Sequence, residues 1–170
     1  MSELATGATV SRAAQQLAGK YLTFALDHEE YGLPVLKVRE IIKMMNITAV
    51  PQVPTCVKGV INLRGKVIPV IDLRLKFGFP AQDYTDRTSI IVVEVALEAS
   101  RVMMGIVVDE VSEVLNIAPD EIEETPQFGD RVRTDYMSAV AKVKGTVKIL
   151  LDLDRILGAE GSAAAFVKVA

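Results

Sequence analysis

Short apolar segments alternate with Gly, Pro, Asn and Asp along most of the chain between residues 19 and 158. Val and Ile are frequent in these segments, and the 3.6-residue spacing of an amphipathic helix is scarce. The pattern predicts an all-β fold, because β-branched residues suit the half-buried surface of a sheet. Ten strands are predicted, at residues 20–26, 30–33, 39–50, 57–63, 66–71, 88–96, 101–107, 112–117, 137–143 and 146–151.

Helical structure is predicted only as brief turns. The fixed φ of Pro34 suits the first position of one turn, and Asp72 and Asp152 can each cap a turn that follows a strand. Residues 118–128 combine a proline with an acidic first turn, so a short helix and a loop both remain open. The two capped turns are expected at Leu73–Phe77, closed by Gly78, and at Leu153–Leu157, closed by Gly158.

The chain carries its main pattern twice. "GKVIPVIDL" (65–73) and "GTVKILLDL" (145–153) share one motif, 80 positions apart, and "YGLPVLKVREI" (31–41) aligns with "MGIVVDEVSEV" (104–114). Either half alone is too small to bury its apolar face well, so the duplication predicts two similar five-strand units packed together. Closing each sheet on itself would remove the exposed edges that promote aggregation.

The composition limits the classes of function that we expect of this chain. The 170 residues are half apolar, with a net charge of −3 and no Trp, so neither the basic face nor the stacking platform of a nucleic-acid binder is expected. Apolar runs are shorter than the roughly 20 residues needed to span a bilayer, so no membrane insertion is expected. The N-terminus lacks the pattern of a signal peptide. With one cysteine and no internal disulfide, the chain is predicted to be cytoplasmic.

Candidate catalytic chemistry is sparse. His28 is the single histidine, and the thiol of Cys56 has no second histidine to act as its base. Neither a cluster of metal-ligand residues nor a glycine-rich phosphate loop is present in the sequence. We therefore expect no catalytic residue, no metal and no cofactor, and we interpret the chain as a binding protein.

The two copies differ most at one predicted hairpin turn. "VKGVINLRG" (57–65) aligns with "MSAVAKVKG" (137–145), and the positions of Leu63 and Gly65 keep their character. Four others change: Lys58, Gly59, Asn62 and Arg64 become Ser138, Ala139, Lys142 and Lys144. Because only arginine offers a planar fork to a carboxylate, Arg64 is a candidate for specific recognition. The spacing alone favours the alternative, in which Asn62 and Gly65 form a tight hairpin turn and Arg64 is merely solvated.

Several stretches resemble the CheW family of chemotaxis adaptors. These are "YLTFALDHEEYGLPVLKVREI", "VKGVINLRGKVIPVIDLRLKFG", "DYTDRTSIIVVEV", "GIVVDEVSEVL" and "KILLDLDRIL". The resemblance covers roughly residues 20–158, and "GVINLRGKVIPVIDLR" is its most specific part.

The resemblance implies a fold of two intertwined five-stranded SH3-like β-barrels. It implies a non-enzymatic adaptor that couples transmembrane chemoreceptors to the histidine kinase CheA. Such an adaptor binds the regulatory domain of the kinase and the cytoplasmic helical hairpin tip of the receptor, and needs no cofactor. The expected organisation is a tail at residues 1–18, a CheW-like domain at 19–158 with halves near 20–80 and 88–158, and a tail at 159–170.

By motif match, the coupling positions of the family fall on Val38, Glu40 and Arg64. We hypothesise that Glu40 and Arg64 form a charge pair at the seam between the barrels. The turn residues Lys58, Gly59, Asn62 and Gly65 belong to the same expected surface. The residues expected to line a groove for the apolar receptor tip are Val35, Val38, Leu63, Val107 and Val108, with plain barrel core as the alternative for each valine.

Three alternatives remain open at this point. A CheW-like paralogue in another chemosensory array, for surface motility or development, would share every motif. A free-standing piece of the kinase regulatory domain would share the fold. A small-ligand-binding β-barrel belongs to a different class and predicts a large thermal shift with nucleotides or metals.

Overall fold

The computed structural model describes residues 11–97, 100–124 and 136–157. These ranges contain eleven strands, three short helices and two single turns of 3₁₀-helix, at Val35–Lys37 and Pro119–Glu121. The strands are β1 Gly19–Leu26, β2 Glu29–Pro34, β3 Val38–Lys43, β4 Val57–Leu63, β5 Lys66–Asp72, β6 Ser89–Leu97, β7 Ser100–Val108, β8 Glu110–Ile117, β9 Ile122–Glu124, β10 Met137–Val143 and β11 Thr146–Leu151. The helices are α1 Arg12–Leu17, α2 Leu73–Lys76 and α3 Leu153–Leu157.

The strands form two sheets with the same internal order. Sheet A runs β8-β1-β2-β11-β10-β9, and sheet B runs β3-β6-β7-β5-β4. Each sheet therefore takes its second and third strands from one half of the chain and its remaining strands from the other half. The parallel pairs also correspond, since Leu150 of β11 faces Gly32 of β2 and Val70 of β5 faces Gly105 of β7. The predicted all-β fold of two similar, intertwined units is confirmed, although sheet A has six strands and not the predicted five, because β9 is added at its edge.

Three hydrophobic cores follow from this arrangement. The largest is shared, because it combines Phe24 and Leu33 of sheet A with Ile91 and Ile106 of sheet B. A second core belongs to sheet A and includes Ala14 of α1. A third belongs to sheet B. Burying a large aliphatic side chain contributes about 1.5–3 kcal/mol, so the shared core binds the two sheets firmly together.

Strand β6 shows why one stretch of sequence is apolar without interruption. Ile91, Val93 and Val95 face the shared core, whereas Ile90 and Val92 face the core of sheet B. Successive side chains of a strand point to opposite faces. Both faces of β6 are covered, so the alternation of a half-exposed strand is absent.

The prediction of a strand at 39–50 is wrong in its second half. Strand β3 ends at Lys43, and Thr48 makes only an isolated bridge to Val60 of β4. Strand β9 was not predicted, because the acidic residues of Ile122–Glu124 resemble a loop. At 118–128 the structure forms a 3₁₀ turn and then β9, and residues 125–128 lie outside the described ranges.

The predicted capped turns are present. The Asp72 carboxylate accepts a hydrogen bond from the Arg74 N–H at 3.0 Å, and that of Asp152 accepts one from the Arg155 N–H at 3.2 Å. The turn predicted to begin at Pro34 is the 3₁₀ turn that this residue caps. Gly158 and the tail at 159–170 lie outside the described residues.

Candidate functional site

The "NLRG" turn is a two-residue β-hairpin. Arg64 and Gly65 both adopt positive φ, at 52° and 87°, which are the values that a type I′ turn requires. The Asn62 side chain accepts a hydrogen bond from the Gly65 N–H at 2.8 Å and so closes the turn. Lys144 and Gly145 repeat the conformation, at 51° and 81°. The two hairpins therefore share a backbone and differ in the side chains they display.

Arg64 forms a forked ion pair with Glu40. Its Nη1 donates to Glu40 Oε2 at 2.9 Å, and its Nη2 donates to Oε1. The Arg64 side chain remains 69% exposed and that of Glu40 30% exposed, so the pair lies at the surface. Hydrogen bonding from Arg64 holds the pKa of the Glu40 carboxyl below its usual value, and the same contact raises the pKa of Arg64. The hypothesised charge pair thus exists.

The pair lies across the closure of sheet B. Glu40 belongs to β3 and Arg64 follows β4, and these strands are the opposite edges of that sheet. The segment that follows β3 also meets β4, where Thr48 and Val60 exchange two backbone hydrogen bonds, of 2.8 and 2.9 Å. The pair therefore joins two edges of one unit. The hypothesis that it lies at the seam between the two units is wrong.

Gly59 has a structural role in this closure. It adopts a φ of 141°, and a Cβ at this position would come within 1.9 Å of the Thr48 carbonyl oxygen. Gly59 is buried and has no side chain to offer a partner, whereas its neighbour Lys58 is half-buried on β4. Gly59 therefore supports the candidate surface by allowing the edges of sheet B to meet.

The five residues predicted to line a groove divide into two groups. Val35 and Val38 are half-buried against the shared core, and Leu63 is half-buried against the core of sheet B. Val107 and Val108 are 3% and 0% exposed, on opposite faces of β7. The groove prediction is wrong for Val107 and Val108, because both faces of β7 are covered and each valine lies within a core.

The structure adds an exposed charge network that the sequence analysis missed. Arg39 Nε donates to Glu94 Oε1 at 2.7 Å, and Arg101 Nη1 donates to Glu94 Oε2 at 3.1 Å. The hydrogen bond from Arg39, followed by that from Arg101, lowers the pKa of the Glu94 carboxyl. A β-bulge between Val38 and Glu40 places Arg39 outside the ladder. The signal available in the sequence was Glu94, the charge that interrupts the apolar run "SIIVVEVAL".

Leu36 is the most exposed large apolar side chain in the described ranges, at 89%. It stands on the 3₁₀ turn beside Lys37, and Arg39, Glu94 and Arg101 line the same shallow depression. Ile41, one strand position after Glu40, is also exposed. An apolar side chain ringed by charges is a common composition for a protein-binding surface.

Comparison with known proteins identifies the family. The matching family model is described as the CheW-like domain and covers residues 20–161. The chain is 38% identical over 154 residues to the chemotaxis protein CheW of Klebsiella aerogenes, covering 90% of each chain. The chain belongs to the CheW family. It is also 34% identical over 147 residues to the CheW of Bacillus subtilis, covering 86% of this chain and 91% of that one.

A solved CheW structure has the same fold. The scaffolding protein TtCheW from Thermoanaerobacter tengcongensis matches with a TM-score of 0.74 and 34% sequence identity, over 85% of this chain and 96% of that chain. The resemblance stated from the sequence motifs is therefore confirmed. CheW proteins are chemotaxis adaptors and not enzymes, so the prediction of a non-enzymatic protein is confirmed by family membership.

Among the described residues, no group of three or more His, Cys, Asp or Glu side chains is placed to hold a metal ion. In the same ranges, no helix is both long enough and apolar enough to cross a membrane. His28 is exposed in the β1–β2 turn, and Cys56 is buried.

Proposed function

We propose that this chain couples transmembrane chemoreceptors to a CheA-type histidine kinase. In this proposal it binds the regulatory domain of the kinase and the cytoplasmic helical hairpin tip of the receptor. Membership of the CheW family supports this function. The place of action would be the cytoplasmic side of a receptor array, reached through these partners and not by insertion into the membrane.

The observation that carries the proposal is the exposed Glu40–Arg64 pair. Arginine has five N–H donors, and the fork to Glu40 uses two of them. The remaining three can donate to a carboxylate or carbonyl of a partner. Because Glu40 already holds the guanidinium in place, little side-chain entropy remains to be lost on binding.

Half-buried apolar residues flank the pair. Val38 lies two positions before Glu40, and Leu63 immediately precedes Arg64. Val35 and Val38, which both pack on the shared core, would offer the kind of apolar surface onto which an amphipathic helix docks, and Leu63, which packs on the core of sheet B, would add a separate contact. Lys58, Asn62 and Gly65 complete the proposed surface, whereas Val107 and Val108 do not belong to it.

The decisive experiment is calorimetric titration with the regulatory domain of a CheA-type kinase and, separately, with a receptor hairpin fragment. The variant is Arg64→Asp and its matched control is Lys144→Asp. Both change the net charge equally, at the same position of equivalent turns. We expect saturable one-to-one binding by the native chain, a loss of at least about tenfold in affinity for Arg64→Asp with one partner, and none for Lys144→Asp.

Two outcomes would contradict the proposal. Equal effects of both substitutions would mean that charge alone matters and that the Glu40–Arg64 surface is not special. Absence of binding to both partners would contradict the assignment as an adaptor. A thermal-shift screen with nucleotides and metals would then test whether the chain is a small-ligand-binding β-barrel. Thermal melting of each variant must first show that it folds.

A further inference from the structure

Arg74 is a buried arginine that ties sheet B to sheet A. It lies on α2, and its side chain is 5% exposed. Its Nη1 donates to Asp109 Oδ2 at 2.7 Å, and its Nη2 donates to Asp27 Oδ1 at 3.2 Å. Asp27 lies in the β1–β2 turn of sheet A, and Asp109 is the residue at which the chain passes from β7 of sheet B to β8 of sheet A. We call these three residues the Arg74 clamp.

Asp154 makes the corresponding connection on α3. Its Oδ2 accepts a hydrogen bond from Lys37 Nζ at 3.0 Å, and its Oδ1 accepts one from the Ala96 N–H at 3.0 Å. Lys37 lies in the turn where the chain passes from β2 of sheet A to β3 of sheet B, and Ala96 is near the end of β6 in sheet B. We call these three residues the Asp154 clamp.

The two clamps occupy equivalent positions with opposite charge. The repeat that aligns residues 65–73 with 145–153, extended by one residue, matches Arg74 to Asp154. The repeat of 31–41 with 104–114 matches Lys37 to Glu110, the neighbour of Asp109. In one clamp a cationic residue of α2 meets acidic residues where the chain turns or crosses between the sheets. In the other clamp an acidic residue of α3 meets a lysine at such a crossing. If either helix docked at the site of the other, like charges would meet and repel. The opposite signs of the two clamps therefore favour the observed position of each helix.

The clamps differ in their exposure to water. In the Asp154 clamp, the side chains of Lys37 and Asp154 are 36% and 38% exposed. A partly exposed pair contributes little stability, whereas removing one partner from a buried pair leaves an uncompensated charge. The Arg74 clamp is therefore the firm connection and the Asp154 clamp the weak one.

We propose that Arg74 and Asp154 form two clamps of inverted charge that fix the orientation of sheet A relative to sheet B, and that the Asp154 clamp is the one that opens. The proposal concerns the free chain and does not depend on which partners it binds. Opening at Asp154 frees Lys37 and the N–H of Ala96 on the same edge of the molecule.

The test measures the distance between spin labels on the two sheets. The labels replace exposed residues, Lys43 on β3 of sheet B and Asn116 on β8 of sheet A, in a Cys56→Ala background. We expect a main distance population with a minor second one for the native chain, because the Asp154 clamp opens part of the time, and a larger second population for Asp154→Ala. Asp154→Asn keeps an acceptor for the Ala96 N–H and loses the charge, so its distribution should be intermediate.

A matched control removes an exposed pair within a single sheet. Lys142 and Glu123 lie 2.7 Å apart on β10 and β9 of sheet A, so Glu123→Ala should leave the distance unchanged. For the firm clamp, Arg74→Met should lower the Tm by roughly 10 °C, against at most a few degrees for Asp154→Ala.

Two results would overturn the proposal. One is a distribution for Asp154→Ala that is as narrow as the native one, and the other is an Arg74→Met variant that melts within about 2 °C of the native chain. If Arg74→Met does not fold, that arm agrees with a firm clamp, and the Asp154→Ala distribution alone decides whether the other clamp opens.

Discussion

Replacing Gly59 by alanine is expected to open the closure of sheet B. The added Cβ would meet the Thr48 carbonyl oxygen at 1.9 Å and its carbonyl carbon at 2.7 Å, so the segment around Thr48 must move away. That movement breaks the two hydrogen bonds between Thr48 and Val60. The φ of 141° adds backbone strain for any residue with a side chain. Strain and lost hydrogen bonds together cost about 3–5 kcal/mol of unfolding free energy.

Urea unfolding measures this cost, and Gly145→Ala is its matched control. Gly145 also has positive φ, at 81°, but a Cβ there would meet no atom within 4 Å. It should therefore show strain alone, of about 1–2 kcal/mol. At 2–4 °C per kcal/mol, the two variants should differ by roughly 5–10 °C in Tm. A Gly59→Ala protein no less stable than Gly145→Ala would refute the argument that the closure contact requires glycine.

Two further predictions concern ionisation. Burial and the charge of Asp72 raise the pKa of Tyr84 to about 12. Asp72→Asn should lower that pKa in an ultraviolet titration of the phenol, while burial keeps it above the usual value. An unchanged midpoint would contradict the contact between Tyr84 and Asp72. The pKa of Glu40 is lowered in the folded chain, so its contribution to stability is present above the unfolded pKa and is lost as the pH falls through the folded pKa. Carbon NMR titration should find the Glu40 midpoint below the usual value and find it restored in Arg64→Met, and equal midpoints in both proteins would argue against the pair.

Local patterns predicted most of the elements but not which strands pair. The ten predicted strands all correspond to observed ones, because apolar segments and turn residues report local conformation. The exchange of strands between halves is a long-range property. In a duplicated chain, β2 could form backbone hydrogen bonds along its free edge with the equivalent strand of either half. The sequence patterns of those two strands are the same. The resemblance to CheW, and not the periodicity, implied the intertwining.

Site residues were predictable where the turn chemistry is specific. The positive φ of Arg64 and Gly65 follows from a two-residue hairpin, and the pairing of Arg64 with Glu40 was a hypothesis that the geometry supports. The burial of Val107 and Val108 was one of two open interpretations, because adjacent residues of a strand face opposite sides and the sequence pattern does not show whether a second core covers the outer side. Here a second core covers the outer face, as it does for β6.

Divergence of the two hairpin turns shows how a duplicated scaffold can acquire one binding surface. The backbone recurs at Lys144, and Glu113 matches Glu40 in the repeat, yet among the described residues these two form no ion pair. The turn backbone is preserved, so the side chain at its first position is one difference between the two hairpins, and the longer pairing of β9 along β10 is another. A lysine ammonium is a point charge on a flexible stem, and it cannot reproduce the planar fork that holds both oxygens of Glu40. Substitutions on the same turn backbone therefore make the side chains that the two hairpins display chemically distinct.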